Sequence, residues 1–232
     1  MNKMALQKTK PVLVFDVNET LLDMTPLKKS VNALLGNDQG FRIWFGTLLH
    51  YSTVSNSINE YHDFGTIAGA TLAMAATSMN KKVDEDEIKE ALSTIKTLQA
   101  YPDVEKGLQL LKDTGFRLAT LTNSPPHALK QQLINSNLTD YFEQALSIDS
   151  LKKYKPAAET YLWAAKELTV KPEEMLMIAA HGWDLAGASH AGLATCFIAR
   201  EGQSLYTLSS TPDFEATDIL AMAEQLVATY SE

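Results

Sequence analysis

Residues 11–20 read Pro11-Val12-Leu13-Val14-Phe15-Asp16-Val17-Asn18-Glu19-Thr20. An unbroken apolar run rich in β-branched and aromatic side chains stops abruptly at a carboxylate. Such a run reads as a strand buried on both faces, as in the interior of a parallel sheet. Working outward, residues 116–122, 175–180 and 194–199 have the same character, and a weaker candidate lies near 145–148. Between them, helical periodicity runs over 104–112, 126–134, 157–168 and 184–191, and a last helix is expected over about 214–230. Strands alternating with helices at this spacing predict an α/β fold built on a doubly wound, Rossmann-like parallel sheet.

The first strand has no quick return. From residue 25 to residue 99 the pattern is helical, with no convincing buried strand. The expected organisation is therefore a core of residues 1–24 and 100–232 with a helical cap, 25–99, inserted after the first strand. Asp84-Glu85-Asp86-Glu87 reads as the acidic, solvated start of one cap helix. Tyr101-Pro102-Asp103 marks re-entry into the core, with Asp103 expected as a helix N-cap.

Composition narrows the chemistry. The 232 residues are 45% hydrophobic and 21% charged, ordinary for a folded globular chain, and the formal net charge is -8. That charge argues against nucleic acid or an anionic membrane as partner. The single cysteine, Cys196, allows no intrachain disulfide and reads as a core thiol. The basic N-terminus carries an apolar stretch too short for a signal peptide or a span, so a cytoplasmic location is expected.

In an open parallel sheet the reactive cleft lies beyond the carboxyl ends of the strands. Asp16 to Thr20 follow the first strand, Thr122-Asn123-Ser124 the second, Lys155-Pro156 the third, and His181-Gly182-Trp183-Asp184 the fourth. Each could be a turn or cap residue, but a carboxylate, two hydroxyls, a lysine and a second carboxylate converging on one edge form a constellation. The segments Phe15 to Leu21, Leu121 to Ser124, Tyr154-Lys155-Pro156 with Tyr161, and Trp183 to Ala188 resemble the haloacid dehalogenase superfamily over nearly the whole chain. Within it they look most like the L-2-haloacid dehalogenases.

Most members of that superfamily are magnesium-dependent phosphatases, which protonate the leaving group with an acid two residues after the nucleophile. Here that position is Asn18, and His181 stands where a second magnesium-binding acid belongs. A halide leaving group needs no proton. The expected reaction is therefore metal- and cofactor-free dehalogenation of a small 2-haloacid, with a phosphatase or a silent binding protein as the alternatives. The resemblance implies that Asp16 attacks C2, expels halide and forms an ester that water then hydrolyses. It implies that Lys155 and Thr20 hold Asp16; Asp184 is expected either to position Lys155 or to assist in activating the hydrolytic water. The amides of Val17 and Asn18 with the Thr122 hydroxyl would take the substrate carboxylate, and Asn123 the halide. Tyr161 and Trp183 would line or support the pocket. Dimerisation through cap or core helices is an expectation from relatives.

Three positions depart from the family pattern. Asn18-Glu19 replaces the usual Tyr-Gly, and Ala179-Ala180-His181 replaces Ser-Ser-Asn. The residue after Trp44 is Phe45 instead of a halide-binding arginine, for which Arg42 could substitute. Glu19 and His181 follow adjacent strands, so a His181-Glu19 dyad is expected to activate the hydrolytic water. His50, His62, His127 and His190 show no metal-ligand spacing; His50 and His62 lie in the cap.

Overall fold

A computed structural model of the chain describes residues 9–230. Most of the basic N-terminal stretch, residues 1–8, lies outside the described residues. β1 (Val12–Phe15), β2 (Leu118–Thr122), β3 (Gln144–Ser147), β4 (Met175–Ala179), β5 (Ala194–Ile198) and β6 (Phe214–Ala216) form one sheet in the order β3-β2-β1-β4-β5-β6. Every neighbouring pair is parallel. β1, β2 and β4 are buried at every residue, which is why their sequences show no polar alternation.

The strand order reverses between β1 and β4. Right-handed crossovers then send the connections on the two sides of that point to opposite faces, and a crevice opens at the carboxyl ends of β1 and β4. The connecting helices are α5 (Val104–Asp113), α6 (Pro126–Asn135), α7 (Ala158–Glu167) and α8 (Gly182–His190), and α9 (Ile219–Tyr230) packs on α5. The expected helix over 214–230 is thus shortened: its first three residues pair with β5 as β6. Of Phe214-Glu215-Ala216 only Phe214 favours a strand, so the triplet has no local signal that separates it from the helix that follows.

Between β1 and β2 lie α1 (Thr25–Leu35), α2 (Gly40–Ile58), α3 (Phe64–Ser78) and α4 (Glu85–Ser93). Local chemistry sets their ends. α1 starts with Pro26 and stops at Gly36 in the left-handed region, φ 63°. Asp63 caps α3 by accepting from the amides of Gly65 and Thr66, and Asp84 with Glu87 forms a capping box on α4. The chain departs and returns side by side, with Asp23 N–H donating to Gln99 O (2.9 Å) and Tyr101 N–H to Leu21 O (3.0 Å).

Asp103 occupies the position before α5, but its side chain does not cap the helix. Its carboxylate instead pairs with Arg200 through two 2.8 Å bonds and accepts from Ile219 N–H. A guanidinium fork offers two charge-assisted bonds where the helix offers a neutral amide, so the ion pair wins. Cys196 is buried in β5, as expected. No helix among the described residues is long and apolar enough to cross a membrane.

Candidate active site

β1 ends at Asp16, whose N–H still donates to Ile178 O (3.0 Å) on β4. The chain then turns tightly: Leu21 and Leu22 both donate to Val17 O, and Glu19 N–H donates to Leu22 O. This turn holds Glu19 in the left-handed region, φ 60°, and swings its carboxylate toward β4.

The Asp16 carboxylate is nearly fully buried and meets three side chains. Lys155 Nζ donates to Oδ1 (2.9 Å), Thr20 Oγ1 donates to Oδ2 (2.8 Å), and His181 Nδ1 lies 3.1 Å from Oδ2. Thr20 is itself fixed, accepting from Ala180 N–H (3.0 Å). Lys155 also donates to Asp184 Oδ2 (2.5 Å) and Leu121 O (2.9 Å), so all three ammonium protons are used. Tyr161 Oη donates to Asp184 Oδ1 (2.6 Å). α8 can lie this close because of Gly187, where a Cβ would sit 2.5 Å from Pro156 O and 2.8 Å from the Tyr161 hydroxyl.

Burial raises the affinity of the Asp16 carboxyl for a proton, but Lys155 and the hydrogen bond from His181 outweigh it and hold the group well below the usual carboxylate range. Burial likewise pulls Lys155 down, and Asp16 and Asp184 more than reverse this. Burial pushes the Asp184 carboxyl up, against the ion pair with Lys155. His181 donates through its second nitrogen to Glu19 Oε2 (2.8 Å). Burial lowers its pKa, but the bonds to Asp16 and Glu19 raise it to about 9. At neutral pH the ring is therefore an imidazolium between two carboxylates.

Asp16, Asn18, Phe45, Thr122, Asn123, Lys155, His181 and Trp183 face a narrow, half-open cleft with about 20 Å³ of free space. Asn123 Oδ1 accepts from Lys155 N–H (3.0 Å), leaving its amide nitrogen directed elsewhere. The Trp183 indole stacks on His181 at 5.3 Å, and its buried N–H has no partner among the described residues. Asn18 is tied at both ends, accepting from Gln132 Nε2 (2.9 Å) and donating to Ser124 Oγ (3.3 Å). The Val17 and Asn18 amides are not used by the turn.

The structure thus brings Asp16, Glu19, Thr20, Lys155, His181 and Asp184 into one network, with Val17, Asn18, Phe45, Thr122, Asn123 and Trp183 beside it. Two residues fall elsewhere. Tyr161 stands behind Asp184 and does not line the space. Arg42 is exposed: three residues place it about 60° round α2 from Phe45, on the solvent-facing edge, where it lines an outer groove with His50. His62 reaches the core only through its carbonyl, which accepts from the Tyr154 hydroxyl. His50, His127 and His190 are exposed, and no group of His, Cys, Asp and Glu side chains among the described residues is arranged to hold a metal ion. Phe64, Leu49, Gln132 and Asn56 belong to the site's walls and supports and carry no motif by which the sequence could flag them.

The sequence profile of the haloacid dehalogenase-like hydrolases matches residues 11–192. This chain belongs to that family. Among its relatives, (S)-2-haloacid dehalogenase 4A of Burkholderia cepacia is 32% identical, over 82% of this chain and 83% of the relative. A crystal structure of a dehalogenase with an intermediate complex is similar at 27% identity and TM-score 0.86, covering 98% of this chain and 100% of that one. The L-2-haloacid dehalogenase of Xanthobacter autotrophicus, solved with chloropropionic acid covalently bound, shares the fold at TM-score 0.84 and 22% identity, covering 94% and 98% of the two chains. The Lys155 ammonium spans Asp16 and Asp184, and Tyr161 takes the remaining Asp184 oxygen.

Proposed function

We propose that this hydrolase dehalogenates L-2-haloalkanoic acids to 2-hydroxy acids through an ester on Asp16. The observation that carries the reading is a buried carboxylate, kept ionised by Lys155, facing a space with no carboxylic acid free to protonate a leaving group. Glu19 is committed to His181 and Asp184 to Lys155 and Tyr161. Such a site suits a leaving group that departs as an anion.

Asp16 attacks C2, the carbon–halogen bond breaks, and the halide leaves with the electron pair. The Val17 and Asn18 amides and the Thr122 hydroxyl take the substrate carboxylate. The free amide of Asn123 and the unpartnered Trp183 indole take the halide, with the Phe45 ring edge in place of the cap arginine. Residues 25–99 act as the cap that closes the site. Alkylation removes the charge of Asp16, and with it the strongest support for the imidazolium. His181, oriented by Glu19, then releases its Nδ1 proton to bulk water, and the freed Nδ1 takes a proton from the water that attacks Asp16 Cγ. Collapse of the tetrahedral adduct breaks the bond from Cγ to the ester oxygen, and His181 hands that proton to the departing alkoxide to give the 2-hydroxy acid. The proton left on the Asp16 carboxyl returns to Nδ1, restoring the carboxylate and the imidazolium. The enzyme works in the cytoplasm without a cofactor, and pairing of two copies is checked by light scattering.

The test is halide release from L-2-chloro- and L-2-bromopropionate in EDTA, beside an aryl phosphate with magnesium. EDTA-resistant halide release that disappears in Asp16→Asn is expected. His181→Asn should release about one halide per enzyme and retain an ester visible by intact mass. Magnesium-dependent phosphate release without dehalogenation would overturn the reading, and unchanged turnover in His181→Asn would remove the dyad.

A further inference from the structure

The free space in the cleft beside Asp16 is far smaller than the groove that adjoins it. That groove has a volume of about 740 Å³ and runs between α3 and α4 on one side and the Ser124–Ala128 segment on the other. Asn18, Phe45 and Phe64 line both, so the two are continuous at the Phe45 and Phe64 rings. The groove's wall is apolar, with Met24, Leu48, Ile88, Leu92 and Ile95 contributing side chains. On α3 it is kept open by small residues: Gly65, Ala68 and Gly69 stand on one helical edge. A Cβ built at Gly69 would meet only Ile88 Cγ2, at 3.8 Å, so the position opens onto the groove. A glycine inside a helix costs stability relative to alanine, and here it preserves empty apolar space.

We infer that this groove is a binding site for the alkyl tail of medium-chain 2-haloalkanoic acids. The inference rests on the dehalogenase reading and extends it to substrates of about six to eight carbons. A substituent on C2 has no room beside Asp16 and must leave past Phe45 and Phe64, which places its next carbons against Leu48, Ile88 and Leu92. Each methylene moved from water into such a wall favours binding about fourfold. The rim mixes Asp63, Asp86 and Glu90 with Lys89 and Lys96, while the wall that the tail would touch, Leu48, Ile88 and Leu92, carries no charge, so an uncharged alkyl tail is the fitting class.

The experiment compares kcat/KM for L-2-bromopropionate and L-2-bromohexanoate in the wild-type enzyme and in Gly69→Leu and Gly69→Trp. The wild type should process the longer acid at least as efficiently as the shorter. Both variants should lose tenfold or more on the longer acid while staying within about threefold on the shorter. Leucine improves helix propensity at this position, so Gly69→Leu keeps the test open if the larger indole disturbs folding. A wild-type kcat/KM at least tenfold lower for the longer acid would overturn the tail site. So would equal losses on both acids, which would make the groove an access channel only. Halide release from neither acid would instead remove the dehalogenase reading.

Discussion

At position 19 the backbone adopts φ 60°, a conformation that costs a residue with a Cβ about 1 kcal/mol and costs glycine almost nothing. The family's usual glycine at this point is replaced by Glu19, whose carboxylate reaches His181 at 2.8 Å. The turn around Val17 and Leu22 enforces the conformation, and the glutamate is held there by what its side chain does. Replacing the side chain separates the two effects. Glu19→Gly and Glu19→Ala both lose the His181 bond, but only alanine keeps the backbone strain. Glu19→Gly is therefore expected to be more stable than Glu19→Ala by about 1 kcal/mol in urea denaturation. Equal midpoints would mean that the turn imposes no strain.

Among the elements, the contact between α2 and the segment before α7 places Lys155. Asn56, near the end of α2, donates to Tyr154 O (2.8 Å) and accepts from Tyr154 N–H (2.9 Å), an amide standing in for a strand partner. The next residue is Lys155, whose own N–H is held by Asn123. Lys153 adds a bond to Asn56 O (3.2 Å), and the Tyr61 and Tyr154 rings stack at 5.5 Å. Asn56 is thus a positioning residue that joins the inserted helices to the lysine. A shift of about 1 Å in a reacting group can cost as much as a hundredfold in rate. Asn56→Ala is expected to lower kcat for halide release roughly tenfold with KM little changed. A fall in thermal stability with kcat intact would show the contact to be structural only.

For the whole molecule the same network couples activity to pH and stability. His181 has a folded pKa raised to about 9 from 6.5, so it contributes stability fully below pH 6.5 and loses that contribution as pH rises through 9. Asp16 is shifted the other way: its contribution is present above its ordinary value of 3.8 and is lost on acidification. Asp63 and Asp103, also lowered, act in the same direction on the acid side. Maximal stability is therefore expected between about pH 5 and 6.5, with an alkaline decline set largely by His181. Calorimetry from pH 5 to 10 should show the stability gap between wild type and His181→Asn narrowing between pH 6.5 and 9. A gap independent of pH would mean that the ring is neutral in the resting enzyme.

The core was legible because its strands are buried on both faces and so appear as apolar runs ending in polar residues. Asp16, Thr122 and His181 follow from that rule together with the position of a crevice in an open sheet. β6 was hidden because a three-residue edge strand has too few residues to show a period. Asp103 stands at the N-cap position of α5 as expected, but the partner of its side chain, Arg200, lies 97 residues away and leaves no local signal. The position of Arg42 depended on which face of α2 turns inward, and that is decided by packing against α3 and the core. Which chemical groups stand at the strand ends follows from residue order alone, since a strand must stop where its buried run stops. That His181 bridges Asp16 and Glu19, that Lys155 spans two carboxylates, and that a groove opens beside them follow from how the elements pack. Those outcomes depend on angles and distances between elements far apart in the chain, and no local pattern of residues encodes them.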